Sequence, residues 1–179
     1  TPLEESAHAD DPTALEVVPT DDKARARCAR ALDVLDEDEL PELVLTRTYR
    51  APLGGADPFD LYRAWRATTD APLGYFFDYG ASPIQGPLHA MGFGRTVLHQ
   101  RRPGERGPVW EEALDAVLPH PLCHGSRDPV ALRVIDRFED ESRDLFGGAA
   151  GYIGSGGVAF ALLNEEVALV DDNTAILRV

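Results

Sequence analysis

The chain has 179 residues, 44% of them hydrophobic and 27% charged, and a formal charge of −14 from 31 acidic and 17 basic residues. That length gives room for one domain with a sizeable core. The acidic balance argues against nucleic acid or an anionic membrane as a partner, and no apolar run approaches the ~20 residues that a membrane-spanning helix requires.

The N-terminus is acidic rather than basic-then-apolar, so it does not resemble a secretory signal and a cytoplasmic protein is expected. Cys28 and Cys123 form no CxxC pair and are too few for a disulfide framework. Residues 1–20, TPLEESAHADDPTALEVVPT, lack periodicity until ALEVV and read as a disordered or loosely docked arm. Residues 21–179 read as a single domain. From Asp21 the positions Ala24, Cys28, Ala31, Leu32 and Leu35 keep helical spacing, which puts Cys28 on the buried stripe as an inert thiol. The basic runs ARARCAR and QRRPGER read as a solvated face and a loop.

ELVLTRTYRAPL alternates as a strand ending at Pro52. Asp57-Pro58 opens a helix with Leu61, Tyr62 and Trp65 on its apolar face. LGYFFDYG is an aromatic-rich strand, GASPIQG a turn, and HAMGFGRTVLHQ one further strand whose glycines mark a bulge or close packing. Trp110, Ala113, Leu114, Val117 and Leu118 return to helical spacing before Pro119.

The stretch from His124 to Ile153 organises the rest. Asp128 and Pro129 supply an N-cap and a first-turn proline, and Ala131, Val134, Ile135 and Phe138 form one buried stripe. Gly147 and Gly148 are expected to end that helix before a short strand, AAGYI. VAFALLN, EVALVDD and TAILRV follow as three strands, with Asp172-Asn173 marking a hairpin. The fold class is therefore α+β, with helices packed on a largely antiparallel sheet.

In this order the elements resemble the chorismate-utilising enzymes: anthranilate synthase component I, aminodeoxychorismate synthase, isochorismate synthase and salicylate synthase. ELVLTRTYR resembles the family's leading strand, DPFDLYRAWR its Asp-Pro-x-x-Leu-Tyr helix, and GYFFDYGASP its Phe-x-Asp strand and Ser-Pro-Glu turn. MGFGRTVLHQRRPG resembles the strand that carries a histidine, ALRVIDRFE the helix after a glycine turn, and FGGAAGYIG an aromatic–Gly-Gly-Ala strand. The resemblance implies a truncated version of that fold. It lacks the segment between the Ser-Pro turn and the histidine strand, and everything after TAILRV.

The same resemblance implies that the family's chemistry has gone. The glutamate of the Ser-Pro-Glu turn falls on Ile84, the catalytic histidine on Gly92 and a nearby serine on Arg95. A lysine falls on Asp128, the carboxylate-binding arginine on Glu165 or Glu166, and the tyrosine before Gly-Gly on Phe146. The Lys or Gln that separates water-adding members from the others falls on Glu42, and a threonine on His124. The magnesium-binding glutamates belong to the missing pieces. A site for a dianion has lost cations and gained carboxylates, which at an effective dielectric of ~20 shifts each close contact by a few kcal/mol in the wrong direction.

What remains can still form a site. Glu42 and His124 are the candidate catalytic base and acid, and Arg95, His89, Tyr75, Phe77, Phe93 and Phe146 the candidate substrate-binding residues. Each of the first two has a plainer alternative: Glu42 follows Pro41 as a solvated strand end, and His124 caps the turn that follows it. His120, Cys123 and His124 lack a distant fourth ligand, and GGAAGYIGSGG follows a helix rather than preceding one, so neither a metal nor a phosphate loop is expected. No cofactor is expected either.

The reading is a metal-independent enzyme of bacterial specialised metabolism that cyclises, isomerises or eliminates on a largely apolar small molecule. Its alternative is a catalytically inactive regulatory or accessory subunit of a chorismate-utilising enzyme. Losing strands exposes sheet edge, so a homodimer is expected.

Overall fold

The computed structural model describes residues 15–37, 40–82, 86–94, 97–100, 114–115, 118–126, 129–154, 157–164, 167–171 and 173–179. Among them the order is β1 (Glu16–Val18), α1 (Asp21–Glu37), β2 (Thr48–Pro52), α2 (Pro58–Arg66), β3 (Leu73–Ser82), β4 (Gly86–Gly94) and β5 (Val97–Gln100). Then come α3 (Pro121–His124), α4 (Pro129–Phe138), β6 (Ala149–Gly154), β7 (Gly157–Leu162), β8 (Val167–Val170) and β9 (Thr174–Arg178). Six strands form one sheet in the order β1-β2-β9-β8-β4-β3, and three form a second in the order β5-β7-β6. Every pairing is antiparallel, so the fold is α+β as the pattern implies.

Strand alternation sorts the core into layers. On the outer face of the large sheet, Met91, Ala168 and Val170 pack under Leu61, Tyr62 and Trp65 of α2. Asp57 starts that helix by accepting the Phe59 and Asp60 amides at 2.9 and 3.1 Å, and Pro58 costs no hydrogen bond there. Between the sheets, Tyr75 meets Ala150 and Leu163, while Cys123 meets Phe146 and Leu162. A third cluster joins α1 to α4 through Ala31, Leu40, Ala131, Val134 and Phe138, so the stripe expected on α4 is the one that is buried.

Several expectations need correction. Cys28 is exposed, and Leu32 is 63% exposed. Helix α1 buries only the narrow stripe of Ala31 with the half-buried Val34 and Leu35, which packs against α4 and against Leu40, Leu43 and Leu45. ELVLTRTYRAPL is a strand only from Thr48. Residues 44–47 instead give their backbone groups to other partners: the Val44 amide bonds the His124 carbonyl at 3.3 Å, and the Thr46 amide bonds Glu139 Oε1 at 2.6 Å. HAMGFGRTVLHQ divides between the two sheets as β4 and β5. The crossing passes Gly94, where a Cβ would lie 2.0 Å from that of Ala161, so only glycine lets the strand through.

Helix α4 ends at Phe138 rather than at Gly147, and Glu139–Gly148 form a loop held by internal bonds. In the last hairpin Asp171 makes the turn, accepting the Asn173 and Thr174 amides at 2.8 and 2.6 Å. The proposed N-cap Asp128, and most of the segment from Trp110 to Val117, lie outside the described residues.

Candidate functional site

The loop after α4 closes over the short helix α3. Its anchor is Arg143, whose side chain is 13% exposed and bonds Glu139 through Nε at 2.8 Å and Nη2 at 2.7 Å. The same guanidinium donates to the carbonyls of Cys123 and Val44, both at 2.6 Å, and stacks 5.6 Å from the centre of Phe146. Glu139, 5% exposed, completes the network by accepting the Thr46 amide. A buried cation and carboxylate are tolerable only when every lone pair and N–H finds such a partner.

His124 sits against this network, 8% exposed. Its Nδ1 donates to the His120 carbonyl at 3.2 Å, which leaves Nε2 as the acceptor beside Gly147. Burial lowers its pKa, and the neighbouring Arg143 charge pushes the same way, so the ring is held neutral. Burial pushes the adjacent Cys123 thiol up to about 11, despite the opposing Arg143 charge, so it is not a nucleophile near neutrality. The ring of His120 caps the start of α3, accepting the Leu122 amide at 3.2 Å.

The candidate residues do not converge. Glu42 is exposed, with its backbone rather than its side chain against the glycine turn at Gly125. Phe146 lies beside Cys123 beneath Arg143. Phe93 pairs with Gly74 and His89 with Asp78, so both face α2, opposite to Tyr75 and Phe77, which pair with Gly92 and Ala90. Phe93 stacks on Tyr62 at 5.3 Å and meets Trp65 edge-on at 5.2 Å, as part of the α2 core. His89 stacks on Phe76 at 5.6 Å and lies 3.7 Å from Asp78. Arg95 lies outside the described residues.

Tyr75 and Phe77 do share a site. Strands β3 and β6 are the outermost strands of their respective sheets. Between them lies a cleft of about 260 Å³ lined by Tyr75, Phe76, Phe77, Gly151 and Tyr152. Phe77 is 39% and Tyr152 60% exposed, whereas Tyr75 is buried. The Tyr75 hydroxyl is buried without a partner among the described residues, and burial, then Tyr79, raise its pKa well above the tyrosine norm. It is a neutral donor with nothing to donate to. Sequence reasoning missed Tyr152 because the glycines around it suggest only turns and packing. Alternation of β6 would have put its ring on one face with Ala150.

The fold defined by these layers is that of the chorismate-utilising enzymes, over part of their length. The chain matches anthranilate synthase component I from Streptococcus pneumoniae TIGR4 with a TM-score of 0.73 and 16% identity, over 92% of its own length and 53% of that chain. It matches a putative 2,3-dihydroxybenzoate-specific isochorismate synthase from Bacillus anthracis with a TM-score of 0.77 and 16% identity, over 94% of its own length and 68% of that chain. No family model matches the sequence, and a search of curated proteins finds no match.

The family resemblance read in the sequence implies Mg²⁺. The described residues do not fit one, because no three His, Cys, Asp or Glu side chains converge among them. Nor is any helix among the described residues long and apolar enough to cross a membrane.

Proposed function

We propose that this chain is an accessory protein on a shortened chorismate-enzyme scaffold that binds a flat, largely apolar small molecule without transforming it. The observation that carries this reading is the Tyr75 hydroxyl, buried and unpartnered among the described residues, on a side chain that lines an aromatic cleft. A buried donor left unmet costs about 1–3 kcal/mol, and a ligand carbonyl or hydroxyl recovers it. The rings of Tyr75, Phe77 and Tyr152 supply the apolar contact such a ligand needs. The enzymatic reading rests on His124, but its intended partner Glu42 faces solvent, which leaves the buried neutral imidazole without the carboxylate meant to work beside it.

The test is titration of the chain with 2-acetylnaphthalene, a planar fluorescent ketone. Binding is expected to weaken about fivefold in Tyr75→Phe, corresponding to roughly 1 kcal/mol, and more in Tyr152→Ala. Affinity indifferent to both substitutions removes the reading. Conversion of a bound ligand that His124→Asn abolishes would replace it with the enzyme.

A homodimer through the same margin is part of the proposal, since β3 ends the large sheet with Phe77 and Tyr79 exposed beside it. Sedimentation should then show a dimer that Tyr79→Asp dissociates, and a monomeric wild type ends that part.

A further inference from the structure

A second cleft lies at the other end of the molecule. Lys23, Arg27 and Arg30 fall at i, i+4 and i+7 of α1, on one helical face. Helix α4 lies against that face and brings Arg137, so that these four, with Phe138 and Asp140, line a groove of about 260 Å³. Four cations against one carboxylate leave a local excess of three positive charges, in a chain whose net charge is −14.

These cations are not neutralised. Among the described residues Lys23, Arg30 and Arg137 make no ion pair, although Arg25 on the same helix pairs with Asp22 at 3.2 Å. Arg30 rests its guanidinium 5.3 Å over the Phe138 ring, which fixes the fork without using its N–H groups. Arg27 gives Nη2 to the Thr46 carbonyl, and its Nε is buried without a partner among the described residues. Like charges gathered at spacings comparable to the Debye length of ~8 Å repel one another, and a bound anion turns that cost into attraction.

The dimensions select the anion. Seven residues of helix separate Lys23 from Arg30, about 10 Å at 1.5 Å per residue, which suits a compact ligand rather than an extended chain. The acidic remainder of the protein repels a long polyanion, whereas a small one feels mainly the groove. Guanidinium forks match phosphate oxygens in pairs. We propose that the α1–α4 groove binds a small phosphorylated molecule, its phosphoryl group held by Arg27, Arg30 and Arg137 with Lys23 at the rim.

Calorimetric titration of the full chain with inorganic pyrophosphate at low salt tests this. Saturable one-to-one binding is expected, weakened about tenfold by Arg30→Gln or Arg137→Gln and lost in Arg30→Glu/Arg137→Glu. Arg63→Gln on α2, remote and already paired with Asp60, should leave it unchanged. As an independent reading, pyrophosphate should raise the melting temperature of the wild type and not of the double variant. No binding by the wild type, or equal binding by the double variant, overturns the proposal. Succinate binding as tightly as pyrophosphate overturns the phosphoryl preference. A short DNA duplex binding more tightly, with the same residue dependence, overturns the small-molecule assignment.

Discussion

The loop after α4 and the margin between β3 and β6 are built from the same materials, an aromatic ring beside a buried polar group, and treat them oppositely. In the loop all three Arg143 side-chain nitrogens find acceptors within the chain, and Phe146 lies packed beneath them. At the margin the Tyr75 hydroxyl is buried with no acceptor among the described residues, and Phe77 and Tyr152 stand half in solvent. Polar groups matched internally make a strut, whereas a buried group left unmatched marks where something from outside fits. Around His124 the space is closed, and the open space lies where the sheets end.

Breaking the strut should have the largest effect. Arg143→Ala strands Glu139 in a site where its side chain is 5% exposed, and should cost about 3–5 kcal/mol in urea unfolding. Arg143→Lys should recover little, because one ammonium cannot serve two carbonyls and both carboxylate oxygens at once. A loss below about 1 kcal/mol would mean that the network merely decorates the loop. Next in size is Gly147→Ala. Its φ of +93° favours glycine, and a Cβ would sit 3.0 Å from Cε1 of His124, so a loss of about 1–3 kcal/mol is expected.

The contrast also separates what can be read along a chain from what cannot. The α4 stripe, the Asp57-Pro58 helix start and the three closing strands were legible, because periodicity and capping act over a few residues. The α+β scaffold followed from collinear motifs. Glu139 and Arg143 look like solvent-face charges in EDESRD, and only the arrival of Val44 and Thr46, more than ninety residues earlier, makes them a buried pair. Phe93 and Tyr75 looked like two walls of one pocket until the β3–β4 register put them on opposite faces. ARARCAR read as a solvated face for the same reason, since Arg137 reaches it only through the fold.

A smaller effect of opposite sign would sharpen the contrast at the margin. Tyr75→Phe deletes a buried hydroxyl that bonds nothing among the described residues, so the free protein should keep its stability or gain up to about 1 kcal/mol, even as ligand affinity drops. That pairing of outcomes is the signature of a group held ready for a ligand. A marked loss of stability in the free protein would instead make Tyr75 a second strut.

The smallest effect is a pH dependence that belongs to the closed side. Burial holds the His124 pKa below its ordinary value of 6.5, so the unfolded chain takes up a proton before the folded one does. Stability drawn from the neutral ring is therefore present above pH 6.5 and is lost as pH falls through the lowered folded value. His124→Asn keeps a donor near the His120 carbonyl and removes the titration. Urea midpoints measured from about pH 7.5 down to about pH 5 should fall more steeply for the wild type than for the variant, the carboxylates being common to both. Parallel curves would mean that the ring is as easily protonated folded as unfolded. In that case water reaches His124, the space around it is not closed, and the opposition between the two regions fails on the side where it is strongest.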